Sequence, residues 1–515
     1  MNIATSFQHV ASARSTKVAL QDDDTTLTYG ELDDLSARVA SFLVEQSITP
    51  GDRVGVYMSN CVQYIVLALG IWKAGAVLVP FNIAIPRAPL RHAVEDSGVR
   101  FVFADTGGLD RFTGDCDGLD VVGRVVHVSR TATPSAGERP AARWSYEDVI
   151  ASDALSRIVP RMDDENALLM YTSGSTGKPK GVQQTHRNTA AVVAATIDAW
   201  GFSEADHAVI CTPFFHVGGM QLMVLPMLLS GASAYTLPRW NAEKWRQAVI
   251  DKKATYTALV PTMVVDIANA FESNPADLTS LRVCAIGGSV LPTGPVERFV
   301  KATGITTAVN IYGQTEQMGV AVCERPGEQV LPRSLGRPLE QIVQWRLTAP
   351  GTDEEVTDEH EAVGELHVRG DAVTPGYWNL PEVNAEKISD GWLRTGDLVR
   401  IDRSGVMHYV ERIDEMIISG GENVYPQMIE NCLASCPDVA EVAVIGTYHE
   451  RWMQQVTAIV VPRSPDVSVA DIAAYCAQHP DLQGLQRPRR IELVDALPRT
   501  GNNKVDRPQL KRTFT

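Results

Sequence analysis

The sequence predicts an α/β protein of several packed units: a large N-terminal domain made of two α/β subdomains plus a small β-rich subdomain, then an α+β unit at the C-terminal end. Three observations carry that expectation. A chain of 515 residues exceeds what one hydrophobic core usually serves, so two to four packed units are expected. Short β-branched runs alternate with helical patterns as far as Ile286, the rhythm of mostly parallel strands joined by crossover helices. After about Val363 the rhythm changes to short strands and turns, and it changes again near Arg412 to Glu415.

In chain order, a helical pattern from Leu32 to Glu45 precedes the strand Arg53-Val-Gly-Val-Tyr57. The longest apolar stretch, Tyr64 to Phe81, is interrupted by Lys73 and Gly75, and it reads as a buried helix running into the strand Ala76-Val-Leu-Val-Pro80 rather than as a membrane span. Phe101-Val-Phe103 and Val125-Val-His-Val128 continue the first set of strands. The stretch from Ser129 to Ala142, rich in Ala, Pro, Thr and Ser, reads as an exposed loop. The rhythm returns at Ala208-Val-Ile-Cys211, Ala232-Ser-Ala-Tyr-Thr236, Tyr256-Thr-Ala-Leu-Val260 and Arg282-Val-Cys-Ala-Ile286, and two such halves would share a cleft. Gly364-Glu-Leu-His-Val-Arg-Gly370 and Gly405-Val-Met-His-Tyr-Val410 are the short strands of the β-rich subdomain. The C-terminal unit reads as a helix around Asn431, strands Val442-Ala-Val-Ile445 and Thr457-Ala-Ile-Val-Val461, and a helix from Val469 to Gln478.

Composition narrows the function classes. With 44% hydrophobic and 21% charged residues the chain can build large cores and stay soluble, and a net charge of -16 argues against a general binder of nucleic acid or anionic membrane. Any phosphate site must then be local. Eight cysteines without a Cys-x-x-Cys pair, and without a histidine at zinc-finger spacing, read as buried thiols of a reducing compartment. With no basic-then-apolar leader and no C-terminal address signal, a cytoplasmic location without membrane insertion is expected.

The chemistry concentrates in Tyr171-Thr-Ser-Gly-Ser-Thr-Gly-Lys-Pro-Lys-Gly-Val182. Gly174, Gly177 and Gly181 allow a ligand to approach the backbone, Thr172, Ser173, Ser175 and Thr176 offer hydroxyl donors, and Lys178 and Lys180 add positive charge: a phosphate cradle. It is not the nucleotide-binding P-loop, which needs Ser or Thr after Gly-Lys, whereas Pro179 stands here. Five further segments follow in order: Pro213-Phe-Phe-His-Val-Gly-Gly219, Asn310-Ile-Tyr-Gly-Gln-Thr-Glu316, Gly391-Trp-Leu-Arg-Thr-Gly-Asp397, Arg412-Ile-Asp-Glu-Met-Ile-Ile-Ser-Gly-Gly-Glu-Asn-Val-Tyr-Pro426 and Leu497-Pro-Arg-Thr-Gly-Asn-Asn-Lys504. Glu316 is a hard oxygen ligand suited to Mg²⁺, Thr315 offers a hydroxyl, and Asp397 can accept from a pair of hydroxyls. An ammonium such as that of Lys504 can stabilise the meeting of two anions, a carboxylate and a phosphate.

In this order, and over nearly the whole chain from Leu27 to Lys504, these motifs resemble the adenylate-forming superfamily of acyl-CoA synthetases, peptide-synthetase adenylation domains and luciferases. The resemblance implies ATP, Mg²⁺ and CoA as ligands and divides the chain into an adenylation domain (1–411), a hinge (412–416) about Asp414 and a mobile C-terminal domain (417–515). It implies ATP and AMP contacts from Thr172 to Lys180 and at Gly288, Asn310, Ile311, Tyr312, Gly313, Asp397 and Arg412. Tyr312 would stack on adenine, Asp397 and Arg412 would hold the ribose, Glu316 would bind the metal, and Thr315 would meet the α-phosphate. Lys504 would serve adenylation; rotation about the hinge would then present Ser419, Gly420 and Gly421 to a thiol. Two departures from the commonest pattern stand out: Asn503 where glycine usually precedes the lysine, and Asp414 where many relatives carry lysine.

Amino-acid-activating relatives place an aspartate where this chain has Phe214-Phe-His-Val217, so an uncharged acid tail is implied. The phrase Asn310-Ile-Tyr-Gly, with Met318 close by, is similar to aryl-CoA ligases of the benzoate and chlorobenzoate type. By that likeness the acyl pocket comprises His216, Val217, Ala258, Gly288, Ile311, Gly313 and Met318, with His216 also counted among the catalytic residues at the meeting of the acyl and thiol paths. The small side chain of Ala258 would admit a longer or substituted acid. The expected activity is an ATP-dependent carboxylic acid:CoA ligase for an aryl or medium- to long-chain acid, in an assembly that allows for a homodimer. Three alternatives stay open: transfer of the acyl group to an amine, hydroxyl or carrier-protein thiol; activation of an unusual small oxyanion; and a nonenzymatic nucleotide sensor.

Overall fold

The helix Tyr29–Glu45 begins where the sequence supplies a reciprocal cap: Thr28 accepts from the Glu31 N–H, and Glu31 accepts from the Thr28 N–H at 2.8 Å. The buried Tyr29 at its start donates its hydroxyl to the Ala232 carbonyl at 2.7 Å, tying this helix to the second half of the large domain. A computed structural model describes residues 2–129, 142–172, 178–288, 293–327, 334–356, 362–419, 422–500 and 504–514. Most of the predicted loop 129–142 therefore lies outside the described residues, as do Ser173, Gly174, Ser175, Thr176 and Gly177 of the phosphate cradle and Gly420, Gly421 and Asn503.

The apolar stretch folds as anticipated, into the helix Val62–Lys73 and the strand Val77–Pro80. Every residue of that helix is buried, Lys73 included, because its ammonium reaches the Asp33 carboxylate at 2.6 Å. The first sheet has seven strands: Trp144–Ser145, Val125–Val128, Phe101–Asp105, Arg53–Tyr57, Val77–Pro80 and Asn166–Thr172 run parallel, and Lys180–Thr185 returns antiparallel as a hairpin. Thr172 and Lys180 are register partners at the mouth of that hairpin and are described residues on either side of the predicted phosphate cradle.

The second sheet is larger than expected. Its parallel centre is Val18–Gln21, Ser233–Thr236, His207–Ile210, Tyr256–Leu259, Val283–Gly287 and Ala308–Tyr312. The N-terminal strand Val18–Gln21 thus joins the second half, so the two halves interleave in sequence. Through Val322–Cys323 and Ser334–Pro338 the sheet runs on into the antiparallel strands Met407–Arg412, Trp392–Ile401, Val363–Arg369 and Gln344–Thr348. The β-rich part accordingly starts at Ser334, not near Val363. Gly336 and the polar first half of Gln344–Thr348 disguise the earlier strands as turns.

A five-stranded sheet follows, with Val439–His449 and Met453–Pro462 as its long central hairpin and Arg490–Leu493 added in parallel. Among the described residues no helix is long and apolar enough to cross a membrane. All eight cysteines are free thiols; seven are buried and Cys432 is half-buried. Folding also brings Cys432, His479 and Asp481 together, their ligand atoms within 4.8 Å of one another, a grouping that sequence spacing does not reveal.

Candidate active site

The carboxyl ends of three neighbouring parallel strands, Tyr256–Leu259, Val283–Gly287 and Ala308–Tyr312, bring Ala258, Gly288, Ile311 and Gly313 to one edge of the sheet, where α/β proteins bind ligands. Gly288 adopts φ +92°, and among the described residues a Cβ built there would meet Val260, at 3.6 Å, an ordinary contact. Opposite, the loop after Tyr312 folds back tightly: a Cβ on Gly313 would stand 2.5 Å from the Gly319 carbonyl, and one on Gly319 3.1 Å from the Val217 side chain. Met318, between them, is buried with φ +54°. Val217 opens the short helix Val217–Gly219, His216 precedes it, and both are half-buried. The strand ends and the turn from Gly313 to Gly319 thus bring most of the predicted acyl-pocket residues into one neighbourhood of the sheet.

Beside it lies a polar knot around Asp397. Antiparallel pairing of Trp392–Ile401 with Met407–Arg412 makes Asp397 and Arg412 register partners. The Asp397 carboxylate is 4% exposed, yet it accepts from the Tyr312 hydroxyl at 2.6 Å and the Gln314 amide at 2.7 Å and pairs with Arg412 at 3.1 Å. Burial pushes its pKa up, while Arg412, Tyr312 and Gln314 hold it down. Tyr312 thus uses its hydroxyl as well as the ring face expected to meet adenine. Arg412 also bonds Asp414 at 2.9 Å, and Asp414 itself is exposed. The Asn310 side chain donates to the Ser334 carbonyl, holding Ala308–Tyr312 to the next part of the sheet.

The turn Thr315–Gln317 carries Thr315 and Glu316, both half-buried. Glu316 accepts from the Tyr377 hydroxyl at 2.8 Å through Oε1, which leaves Oε2 to a cation. One carboxylate oxygen beside a phosphate cradle fits Mg²⁺, which keeps waters and takes phosphate oxygens for its remaining ligands. The Thr315 carbonyl accepts from Gln184, which in turn accepts from Gln221, a buried amide pair under the turn. Of the cradle lysines, Lys178 is exposed and Lys180 half-buried, with its ammonium 5.8 Å from the Tyr377 ring centre. Ser419 is buried next to the exposed Ile418.

Lys504 joins this cluster from the far end of the chain. Its side chain is solvent-exposed, yet partial loss of hydration lowers its pKa. Asp397 opposes that shift, Arg412 adds to it, and Glu415 and Glu316 oppose it, so Lys504 is within electrostatic reach of both the ribose-side and the metal-side carboxylates. A separate cleft of about 490 Å³, lined by Asp105, Trp240 and Lys244 among others, shares no residue with this cluster.

Two members of the cluster were not singled out from the sequence. Gln314 sits inside the quoted Tyr-Gly-Gln-Thr-Glu segment and was legible there, whereas Tyr377, 61 residues from its partner Glu316, had no local signal.

Comparison with known proteins shows the family. The sequence profile of the AMP-binding enzyme family matches residues 7–378, and that of the AMP-binding enzyme C-terminal domain matches residues 428–504. The chain is 32% identical over 498 residues to a feruloyl-CoA synthase of Amycolatopsis sp, covering 96% of each chain. It is 31% identical over 501 residues to an indoleacetate–CoA ligase of Aromatoleum aromaticum, covering 96% of this chain and 95% of that one. Its structure superposes on ATP-bound MatB from Rhodopseudomonas palustris with a TM-score of 0.88 at 27% identity, over 100% and 99% of the two chains. Against apo MatB the same coverage and identity give 0.78, so over the whole chain the superposition is closer on the ATP-bound structure.

Proposed function

The chain belongs to the adenylate-forming AMP-binding enzyme family and is an ATP-dependent carboxylic acid:CoA ligase; on that premise we propose that its acid is an aryl or extended apolar one, and that the residues around Asp397, Glu316 and Lys504 carry adenylation. The observation that carries this reading is that Lys504 lies within electrostatic reach of Asp397 and Glu316 in a chain that superposes more closely on an ATP-bound relative than on its apo form.

In the first half-reaction a carboxylate oxygen of the acid forms a bond to the α-phosphorus of ATP as pyrophosphate leaves. Bound magnesium would screen the phosphate charge from its place at Glu316. Asp397, held in place by Tyr312, Gln314 and Arg412, would orient the ribose, and Lys504 would stabilise the negative charge shared by the approaching carboxylate and the α-phosphate. Ala258, Gly288, Val217 and Met318 suit an uncharged tail, consistent with relatives named for ferulate and indoleacetate.

In the second half-reaction the CoA sulfur attacks the acyl carbonyl, AMP leaves, and the thiol proton passes to solvent. We assign the thiol path to the segment beginning at Ser419. The exposed apolar side chains of Ile418 and Tyr448, which the strand registers put on one face of the small sheet, would be turned toward the cleft by rotation about Asp414. Free thiols throughout suit a reducing cytoplasm.

The test is pyrophosphate release over a panel of ferulate, indoleacetate, benzoate and fatty acids, with and without CoA. Release with an aryl acid and CoA-dependent thioester formation supports the reading; release without thioester would reassign the acceptor, and no release with any acid would reject it.

A further inference from the structure

The helix Pro426–Ala434 starts without a cap of its own. Tyr425 at its N-cap makes no side-chain hydrogen bond and Pro426 has no N–H, so Gln427 carries the first unsatisfied donor of the helix. That N–H donates to Oε2 of Glu411 at 2.6 Å. Glu411 lies on the strand Met407–Arg412, fully buried, with Oε1 accepting from the Arg412 N–H at 3.0 Å. The contact therefore bridges the segment 412–416, with the carboxyl on the large-domain side and the helix on the other.

The charged and titratable groups facing Glu411 come from every neighbouring element. Tyr409 and Arg412 share its strand, Glu415 follows in the connecting segment, Glu430 stands on the helix it caps, and Arg507 reaches in from the C-terminal helix Arg507–Phe514. Arg507 pairs with Glu415 at 3.1 Å and with Glu430 at 2.7 Å, and it lies three residues beyond Lys504, so the loop carrying Lys504 is anchored to the same cluster.

We propose that Glu411 is a positioning residue: by capping the helix Pro426–Ala434 across the hinge it holds the small domain in the adenylate-forming arrangement, and so sets the balance between the two half-reactions. The proposal rests on the two-step reading above. Rotation about Asp414 separates Gln427 from Glu411, because they lie on opposite sides of the pivot. Losing the acceptor would leave the Gln427 N–H unpaired only in the arrangement that buries it.

Titration gives the contact a second signature. Burial pushes the Glu411 carboxyl up to about 7, against the Gln427 and Arg412 N–H groups and Arg507, which hold it down, and with Glu415, which raises it further. Either form can accept from Gln427, but only the ionised form resists burial. A rotated arrangement that exposes Glu411 returns it toward the usual carboxylate range and so binds fewer protons near neutrality. Raising the pH through about 7 then favours rotation, and lowering it favours the adenylating arrangement.

The experiment measures acid-dependent pyrophosphate exchange, and separately thioester formation from supplied acyl adenylate, between pH 6 and 8. Relative to wild type, Glu411→Ala is expected to lower exchange about tenfold while thioester formation is kept or raised. Glu411→Gln keeps an acceptor oxygen and the side-chain volume; it should restore most of the exchange, while the change with pH near 7 in the ratio of the two rates disappears. Equal slowing of both half-reactions by Glu411→Ala, or an unchanged pH dependence in Glu411→Gln, overturns the proposal. A wild-type enzyme that performs neither half-reaction overturns the two-step reading with it; one that performs both while the variants behave alike overturns only the role of Glu411.

Discussion

Replacing Tyr312 by phenylalanine isolates the polar knot. The substitution keeps the buried ring and removes one hydroxyl, which donates to Asp397 at 2.6 Å. Hydrogen bonds to a charged group contribute roughly 1.5–3 kcal/mol, so a loss of about 2 kcal/mol is expected, or about thirtyfold if all of it appears in nucleotide binding. Oδ2 of Asp397 would retain only Gln314 among the side-chain donors now bonded to it. Burial already raises the Asp397 pKa and Tyr312 is one of the groups opposing that shift, so the variant moves it further up. A ribose contact needs the ionised carboxylate as acceptor; the raised pKa means that ionisation is lost first at low pH. The assay is KM for ATP in acid-dependent pyrophosphate exchange at pH 6 and pH 8, with thermal unfolding alongside. KM should rise at both pH values and more at pH 6. A variant that unfolds earlier yet keeps the wild-type KM at both pH values would refute the assignment of Asp397 to the nucleotide.

Two further outcomes follow from particular contacts. Gly313→Ala should reduce pyrophosphate exchange by more than tenfold, with the fold checked by circular dichroism, because its Cβ would meet the Gly319 carbonyl at 2.5 Å and backbone cannot swing aside as a side chain can; wild-type exchange would show that the turn yields freely. Acid should destabilise the fold through His186, whose pKa is lowered to about 4 by burial first and then by Arg161, with Nδ1 accepting from the Ile3 N–H at 3.4 Å. The unfolded chain binds the proton more readily, so stability is present above the ordinary histidine range and falls as pH drops toward about 4, by about 3 kcal/mol for a shift of this size. His207, also lowered to about 4, adds in the same direction, and chemical denaturation of His186→Gln at pH 5 and pH 7.5 should show a smaller difference than wild type.

Much of the large domain was legible because its strands are continuous β-branched runs: Arg53–Tyr57 and Val125–Val128 fall where the pattern places them, and the others begin or end within a residue or two. What the pattern could not carry was pairing between distant segments. Val18–Gln21 lies between an N-terminal helix and a turn, and only its register with Ser233–Thr236 assigns it to the second sheet. The small domain's central hairpin is longer than its apolar middle, since Val439–His449 and Met453–Pro462 extend through exposed and polar positions that pairing alone sustains. At the site, Asp397, Arg412, Tyr312 and Glu316 could be singled out as residues, but their contacts depend on a strand register and on loop returns that leave no local trace. Tyr377 and Glu411 show this most plainly, each made functional in prospect by a partner far along the chain or across the hinge.

The central claim is that Lys504 acts in adenylate formation and not in thioester formation. Lys504→Ala, assayed by pyrophosphate exchange and then by thioester formation from supplied acyl adenylate, tests it most directly. Loss of a charge that stabilises the transition state should cost about 3 kcal/mol or more, so exchange should fall at least a hundredfold while thioester formation stays near wild type. Comparable loss in both steps, or exchange left intact, would contradict the account.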